Sequence, residues 1–288
     1  MAGQLRHNGD LVTVEGHRMH IFRTGKEAGQ KLLFLSGSGT VAPSLDFKIL
    51  YQKLETEFRI LVIEKFGYGY SDLYDSRTDI DSQVSYYRQA LESMGEQGPY
   101  VLLPHSLSGL EAIRWSQKFP EEIKAIAGLD MAVPAQYISW GQEGVDKKID
   151  QMHKLQKLHR KGLLFWYPLN KRGLDKEDIV QQKLLWKRNG MNDCYISEAR
   201  MLLDNAKLVD GAGTVDCPVL MFVSDGKQVS ANWIQFQNDF AEHNNAKIIQ
   251  LNCGHYVHYY ESDRISKEIT RFLTEDFPAD SICNSGEG

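Results

Sequence analysis

The sequence predicts an α/β fold: a mostly parallel sheet of about eight strands flanked by helices. Short apolar runs, such as residues 31–36, are typical of strands that are buried on both faces. These runs alternate along the chain with segments of helical period, such as residues 80–94. Because strands and helices alternate, the sheet is expected to be mostly parallel and covered on both sides.

The elements are predicted in order along the chain. Two short alternating segments, 11–15 and 17–23, flank Gly16 and indicate a hairpin. The later strands are predicted at 31–36, 59–63, 101–103, 123–129, 218–223 and 247–251. The helices that accompany them are predicted at 45–57, 80–94, 107–119, 232–243 and 265–273.

Residues 134–213 interrupt this alternation, because they show helical periodicity and no convincing buried strand. Sites in parallel sheets lie beyond the carboxyl ends of the strands. An insertion after the sixth strand is therefore predicted to form a helical lid over such a site. The predicted division is a core of 1–133 and 214–278, a lid of 134–213 and a flexible tail of 279–288.

Composition narrows the class of protein. The chain has 288 residues, 42% of them hydrophobic, and a net charge of −5, which suits a large α/β domain. The mild, mixed charge predicts no nucleic-acid partner. No apolar run approaches the ~20 residues that span a bilayer, so no membrane partner is expected. The polar start of the chain and four cysteines without CxxC spacing predict a cytoplasmic protein, while the oligomeric state stays open.

The run VLLPHSLSGLEA over residues 101–112 carries the strongest functional signal. An apolar strand ends near Pro104, Ser106 follows in a tight turn, and a helix-like stretch begins. Such a turn directs the serine hydroxyl out of the fold and frees the backbone N–H of the next residue. The alternative is an ordinary helix N-cap serine. Pro104 and Ser108 stand where small residues, usually glycine, let strand and helix approach.

A serine hydroxyl needs a base, and a neutral imidazole needs a group that orients it. His255 follows the strand at 247–251, and Asp225 follows the strand at 218–223, so both are expected at the same sheet edge as Ser106. Asp130, which also follows a strand, is a second candidate acid. The simpler interpretations are an Asx-turn at Asp225 and a surface histidine at 255, with His258 as the base instead.

The loop that follows the strand at 31–36 is predicted to complete an oxyanion hole. It reads SGSGT over residues 36–40, and its glycines allow backbone N–H groups to turn toward a developing negative charge. The N–H groups of Ser38 and Leu107 are the predicted donors. No metal site is predicted, because His105, His255 and His258 lack a ligand spacing such as HExxH.

Four motifs in order resemble the α/β-hydrolase fold superfamily over nearly the whole chain. They are LLFLSGSGT, VIEKFGYGYSD, HSLSG and CGHYVHYYESD. In the first two, Ser36 stands where the family usually has histidine, and Glu64 stands where it commonly has aspartate. The resemblance implies the fold, a lid after the sixth strand and a Ser-His-Asp mechanism. It favours Asp225 over Asp130 as the acid.

The resemblance also bears on the chemistry. Related haloalkane dehalogenases and many epoxide hydrolases carry aspartate at the elbow, so Ser106 argues against both. The prediction is a serine hydrolase that cleaves a small acyl substrate, by default a carboxylic ester, without a cofactor. Amide or aminopeptide hydrolysis, thioester hydrolysis, C–C hydrolysis and acyl transfer on the same residues remain open.

Two interpretations that do not involve hydrolysis also remain. Residues 37–42 fit GxGxxG/A after a buried strand, and Glu64 ends the next strand about 25 residues beyond Gly39, as in dinucleotide-binding proteins. Pro43 argues against this reading, since it lies in the turn that should begin the phosphate-binding helix. The second reading is a non-catalytic member of the fold that binds a ligand in the covered pocket.

Overall fold

The structure is a computed structural model, and it describes residues 4–74 and 78–275. One eight-stranded sheet runs in the order β1-β2-β4-β3-β5-β6-β7-β8. Its first two pairs, β1–β2 and β2–β4, are antiparallel, and the remaining neighbours are parallel. The strands are β1 Asp10–Val14, β2 His17–Gly25, β3 Lys31–Leu35, β4 Arg59–Glu64, β5 Tyr100–Pro104, β6 Ile123–Leu129, β7 Val219–Val223 and β8 Lys247–Gln250. The predicted sheet is confirmed.

Helices cover both faces of the sheet. They are α1 Pro43–Asp46, α2 Lys48–Tyr51, α3 Ile80–Ser93, α4 Ser108–Lys118, α5 Pro134–Arg160, α6 Lys176–Asn189, α7 Asp193–Arg200, α8 Leu202–Gly211, α9 Trp233–His243, α10 Val257–Tyr260 and α11 Ser262–Glu275. The single helix predicted at 45–57 is wrong. Phe47 has φ −85° and ψ −2° between α1 and α2, and it is fully buried, so two short helices replace a continuous one.

The core consists of two apolar layers, one on each side of the sheet. In β3, Leu33 and Leu35 pack into one layer, whereas Leu32 and Phe34 pack into the other. Successive side chains of a strand point to opposite faces. Both faces are therefore buried, which explains why this strand reads as a continuous apolar run.

A helical segment, α5 to α8, separates β6 from β7. Its first helix is kinked at Gly141, where φ is +58° and ψ is −171°. The chain therefore changes direction after the first two turns of α5. The division into core and lid stays a prediction, and the tail at 279–288 lies outside the described residues. Within the described ranges, no helix combines the length and apolar character that crossing a membrane requires.

Candidate active site

Ser106 occupies a strained turn between β5 and α4. Its φ is +54°, a left-handed conformation that is uncommon for a residue with a side chain. The Ser106 carbonyl accepts hydrogen bonds from the N–H groups of Gly109 at 2.9 Å and Ala132 at 2.7 Å. Gly109 lies so close to the β6 loop that an added Cβ would fall 2.2 Å from the Ala132 oxygen. These contacts hold the turn in place, and Ser106 lines a cavity beside it.

Ser108 stabilises the same turn from inside the fold. Its hydroxyl is fully buried and lies 2.7 Å from the carbonyl oxygen of Leu35 and 2.9 Å from that of His105. The His105 N–H also donates to Leu35. Pro104 ends β5 opposite Leu35 in the parallel ladder. The two residues that depart from the usual elbow are therefore both accommodated, and Ser108 adds a contact to β3 that glycine would not make.

His255 contacts a buried carboxylate, and that carboxylate belongs to Asp130. The distance from His255 Nδ1 to Asp130 Oδ2 is 2.6 Å. Asp130 lies directly after β6, is fully buried and has φ +48°. Its Oδ1 accepts hydrogen bonds from the Ser224 N–H and from Trp233 Nε1, both at 2.8 Å. A proton on Nδ1 leaves His255 Nε2 as the basic nitrogen.

The structure does not bring Asp225 to His255, contrary to the sequence-based expectation. Asp225 Oδ1 accepts the Lys227 N–H at 3.1 Å, and Oδ2 lies 3.0 Å from Lys227 Nζ. The hydrogen bond to Lys227 holds the pKa of Asp225 below its usual value. A side-chain contact to the N–H two residues onward is an Asx-turn, which was the simpler interpretation of this residue. Trp233 and its bond to Asp130 carried no signal in the sequence.

The oxyanion loop lies against the elbow. Gly37 is so near that an added Cβ would fall 2.8 Å from Ser106 Cβ, and Ser38 lines the same cavity. Gly39 donates its N–H to the Tyr68 hydroxyl at 3.1 Å. Within the described residues, the N–H groups of Ser38 and Leu107 meet no acceptor. Neither predicted donor is therefore used by the backbone of the described residues, and Ser38 lines the cavity, whereas Leu107 is buried beside Ser106.

The other two histidines of this region are fully buried, and of these His105 contributes to the cavity lining. His105 is fully buried, and its Nε2 lies 3.3 Å from the His255 carbonyl oxygen. Burial, and then the neighbouring rings of His255 and His258, hold the pKa of His105 well below its usual value. His258 is also fully buried, with Nε2 3.1 Å from Asp46 Oδ2. His258 is therefore not placed as a base for Ser106.

The cavity has a volume of about 260 Å³. Its floor holds Ser106, His255 and Ser38, and α5 supplies part of its wall. The other lining residues are Gly37, His105, Gln136, Tyr137, Trp140, Lys148, Ala199, Leu202, Gln228, Val229, Trp233 and Tyr256. Nothing in the sequence spacing marks Gln136 or Lys148, since both resemble other polar residues of a long helix.

The environment of Glu64 argues against the interpretation as a dinucleotide-binding protein. Its carboxylate is fully buried, with Oε1 accepting from the Ser44 N–H at 3.0 Å and Oε2 from the Tyr70 N–H at 2.7 Å. Pro43 begins a helix of only four residues. Glu64 is therefore not placed to bind a ribose. In the part of the chain that the structure describes, no group of three His, Cys, Asp or Glu side chains is arranged to hold a metal ion.

Comparison with known proteins identifies relatives of the chain. No protein-family model matches it. It is 32% identical over 285 residues to "Uncharacterized protein YbdG" of Bacillus subtilis, covering 94% of this chain and 87% of that one. It is 24% identical over 181 residues to a "Putative esterase/lipase" of Haemophilus influenzae, covering 61% of each.

Solved structures share the fold at low sequence identity. The structure of "a putative alpha/beta hydrolase" from Nostoc sp PCC 7120 matches with a TM-score of 0.73 at 16% identity, covering 93% of this chain and 98% of that one. A haloalkane dehalogenase DbeA variant from Bradyrhizobium elkanii matches at 0.70 and 17%, covering 92% and 95%. The enol-lactonase from Burkholderia xenovorans LB400 matches at 0.65 and 14%, covering 92% and 100%. The chain therefore belongs to the same family as YbdG and has the α/β-hydrolase fold.

Proposed function

We propose that the protein is a serine hydrolase of small carboxylic esters, with Ser106 as nucleophile, His255 as base and Asp130 as the acid. One observation carries the proposal: His255 Nδ1 donates a 2.6 Å hydrogen bond to Asp130 Oδ2, and His255 and Ser106 line the same cavity. The acid differs from the sequence-based expectation, since Asp225 is bonded to Lys227 instead.

The proposed first step forms an acyl-enzyme. His255 Nε2 takes the proton from Ser106 Oγ as this oxygen attacks the acyl carbon. The carbonyl π electrons move to oxygen, and the N–H groups of Leu107 and Ser38 donate to the oxyanion. The oxyanion then re-forms the carbonyl and the ester C–O bond breaks. His255 passes its proton to the leaving alkoxide, which departs as an alcohol.

The second step reverses these roles with water. His255 Nε2 accepts a proton from water as the water oxygen attacks the acyl carbon, and the same N–H groups stabilise the oxyanion. The bond to Ser106 Oγ breaks, the proton returns to that oxygen, and a carboxylic acid leaves. Throughout, Asp130 holds the Nδ1 proton and stabilises the imidazolium.

Ester hydrolysis is favoured over other bonds for two reasons. An alcohol is an easier leaving group than an amine or a carbanion, so the same residues need supply less stabilisation. The relatives also include a "Putative esterase/lipase", and a structural neighbour is an enol-lactonase, whose substrate is a cyclic ester. A cavity of about 260 Å³ lies slightly below the usual range of small-molecule sites, about 300–1,000 Å³, and suits a small acyl group.

The helical segment is proposed to act as a lid. Tyr137 and Trp140 from α5 line the cavity above Ser106, and Ala199 and Leu202 from α7 and α8 line it beside them. Water would be excluded by these side chains when substrate is bound, which strengthens the electrostatic interactions of the oxyanion.

Labelling with a fluorophosphonate probe tests the nucleophile. The wild type is expected to react and to hydrolyse short neutral esters, and Ser106→Ala is expected to lose both properties. Ser38→Ala is the matched control, because it removes a neighbouring hydroxyl but keeps the backbone N–H. Equal labelling of the wild type and Ser106→Ala would show that another residue is the nucleophile.

A further inference from the structure

Gln136 lines the cavity, and among the described residues its amide nitrogen has no hydrogen-bond partner. The residue is 1% exposed and lines the cavity wall. Its Oε1 accepts a hydrogen bond from the Ser230 hydroxyl at 3.0 Å, but its Nε2 is buried without a partner. An unsatisfied buried N–H group carries a desolvation cost. A ligand oxygen that accepts from Gln136 Nε2 would remove this cost.

Lys148 places a positive charge at the same cavity. It lies on α5, lines the cavity and has an exposed side chain. Among the described residues, no carboxylate forms an ion pair with it. Two nearby acids of the helix are already engaged: Glu143 pairs with Lys147, and Asp146 accepts from Gln142.

Among the described residues, the cavity lining contains no aspartate or glutamate, and Lys148 is its one lysine or arginine. The carboxylate of Asp130, behind the wall, is fully buried and accepts from Ser224, Trp233 and His255. The Asp130 charge is therefore stabilised by its own partners. The residues that line the cavity therefore include one cation, Lys148, and one amide nitrogen without a partner, Gln136 Nε2, which lies just beneath the cavity surface.

We propose that this pair selects a carboxylate on the substrate, so that the enzyme hydrolyses half-esters of short dicarboxylic acids. The inference rests on the proposed function and names its substrate class. Gln136 Nε2 donates to one carboxylate oxygen, and Lys148 supplies the opposite charge. The carboxylate lies on the acyl side, because the acyl group stays attached to Ser106 inside the small cavity after the alcohol has left.

A matched pair of substrates tests the selection. Monoethyl glutarate and ethyl pentanoate have the same chain length and leaving group, but only the first carries a carboxylate. The wild type is expected to show a kcat/KM about tenfold higher for monoethyl glutarate, since a hydrogen-bonded charge pair contributes about this factor. Lys148→Met should abolish most of this preference through KM, because the interaction is present throughout the reaction.

Lys147→Met is the control, because Lys147 belongs to the same helix but pairs with Glu143 and does not line the cavity. It should keep the preference of the wild type. Gln136→Glu keeps an acceptor for Ser230 and adds a negative charge, so it should reverse the preference in favour of ethyl pentanoate. Equal kcat/KM for both esters in the wild type and in Lys148→Met would overturn the inference.

Calorimetric titration separates this inference from the proposed function. Monoethyl glutarate is titrated into Ser106→Ala, Ser106→Ala/Lys148→Met and Ser106→Ala/Lys147→Met, none of which needs to turn it over. At low ionic strength, Ser106→Ala/Lys148→Met should bind monoethyl glutarate about tenfold more weakly than the other two variants. Identical affinities for all three would refute carboxylate selection even if neutral esters are hydrolysed. Failure to hydrolyse any ester, with this affinity difference intact, would refute only the proposed function.

Discussion

Among the histidine–carboxylate pairs of the described residues, His255–Asp130 and His20–Glu64 differ in what surrounds them. His255 and Asp130 lie 2.6 Å apart beside the cavity, and the His255 side chain is 16% exposed. His20 Nδ1 and Glu64 Oε2 lie 2.9 Å apart, and both side chains are completely buried. Proximity of an imidazole to a carboxylate is therefore common to both, and it does not by itself define an active site.

The two pairs also differ in hydrogen-bond geometry. His255 Nδ1 makes a directed hydrogen bond to Asp130. In the described part of the chain, the His20 ring nitrogens meet no acceptor with hydrogen-bond geometry, although Nδ1 lies close to Glu64 Oε2. Only the first pair leaves a ring nitrogen next to a cavity that a serine lines. Access and a neighbouring nucleophile distinguish a candidate catalytic pair from a structural one.

The largest expected effect is on turnover in Asp130→Asn. The amide cannot favour the Nδ1–H tautomer of His255, so kcat on a short ester should fall by about 10⁴. Asp225→Asn is the matched control: it changes an aspartate at the next strand end that contacts Lys227, and it should change kcat by about twofold or less. A large loss of kcat in Asp225→Asn, with full activity in Asp130→Asn, would show that Asp225 is the acid of the triad.

The next largest expected effect is on the free energy of unfolding, which should fall more in His20→Ala than in His255→Ala. His20→Ala leaves the Glu64 carboxylate buried without its partner, and the free energy of unfolding should fall by about 3–5 kcal/mol. The His255 side chain is 16% exposed, so water from the cavity can replace it beside Asp130, and His255→Ala should cost less stability while abolishing turnover. Urea unfolding and ester turnover measure both variants. Equal stability losses would contradict the distinction between the pairs.

The dependence of stability on pH is expected to identify the His20–Glu64 pair as structural. Burial by itself raises the pKa of Glu64, but the attraction of His20 and the N–H groups of Tyr70 and Ser44 outweigh burial and lower it below 4.5. A carboxyl with a lowered folded pKa contributes stability above its unfolded pKa and loses it as pH falls through the folded pKa.

The measurement is urea unfolding of the wild type and Glu64→Gln between pH 7 and pH 3. The wild type should be more stable at pH 7, and the difference between the two proteins should shrink as the pH falls below about 4.5. A difference in unfolding free energy that is constant over this range would mean that Glu64 has the same pKa in both states.

The sequence predicted those features that local patterns specify. Buried runs and helical periods predicted the sheet, and a serine in a strand–helix turn predicted the position of Ser106. Asp130 and Asp225 each follow a strand, so spacing alone left both open. The choice between them depends on the contacts of Asp130 with Trp233 and His255, which are tertiary, whereas the contact of Asp225 with Lys227 is local. Gln136 likewise became a candidate binding residue only when the structure placed it in the cavity lining.

The smallest expected effect concerns Ser108, which is part of the elbow but as buried as the His20 pair. Ser108→Ala removes a hydroxyl that lies within hydrogen-bonding distance of the Leu35 and His105 carbonyls, and the free energy of unfolding should fall by about 1–2 kcal/mol. Ser108→Gly should cost about 0.5–1 kcal/mol more, because glycine disfavours the first turn of α4. If Ser108 only anchors the elbow to β3, kcat should change by less than about tenfold, since the backbone bonds of Ser106 to Gly109 and Ala132 remain. A loss in Ser108→Ala as large as that in Asp130→Asn would mean that this hydroxyl sets the position of the nucleophile, and that burial does not separate structural from catalytic groups here.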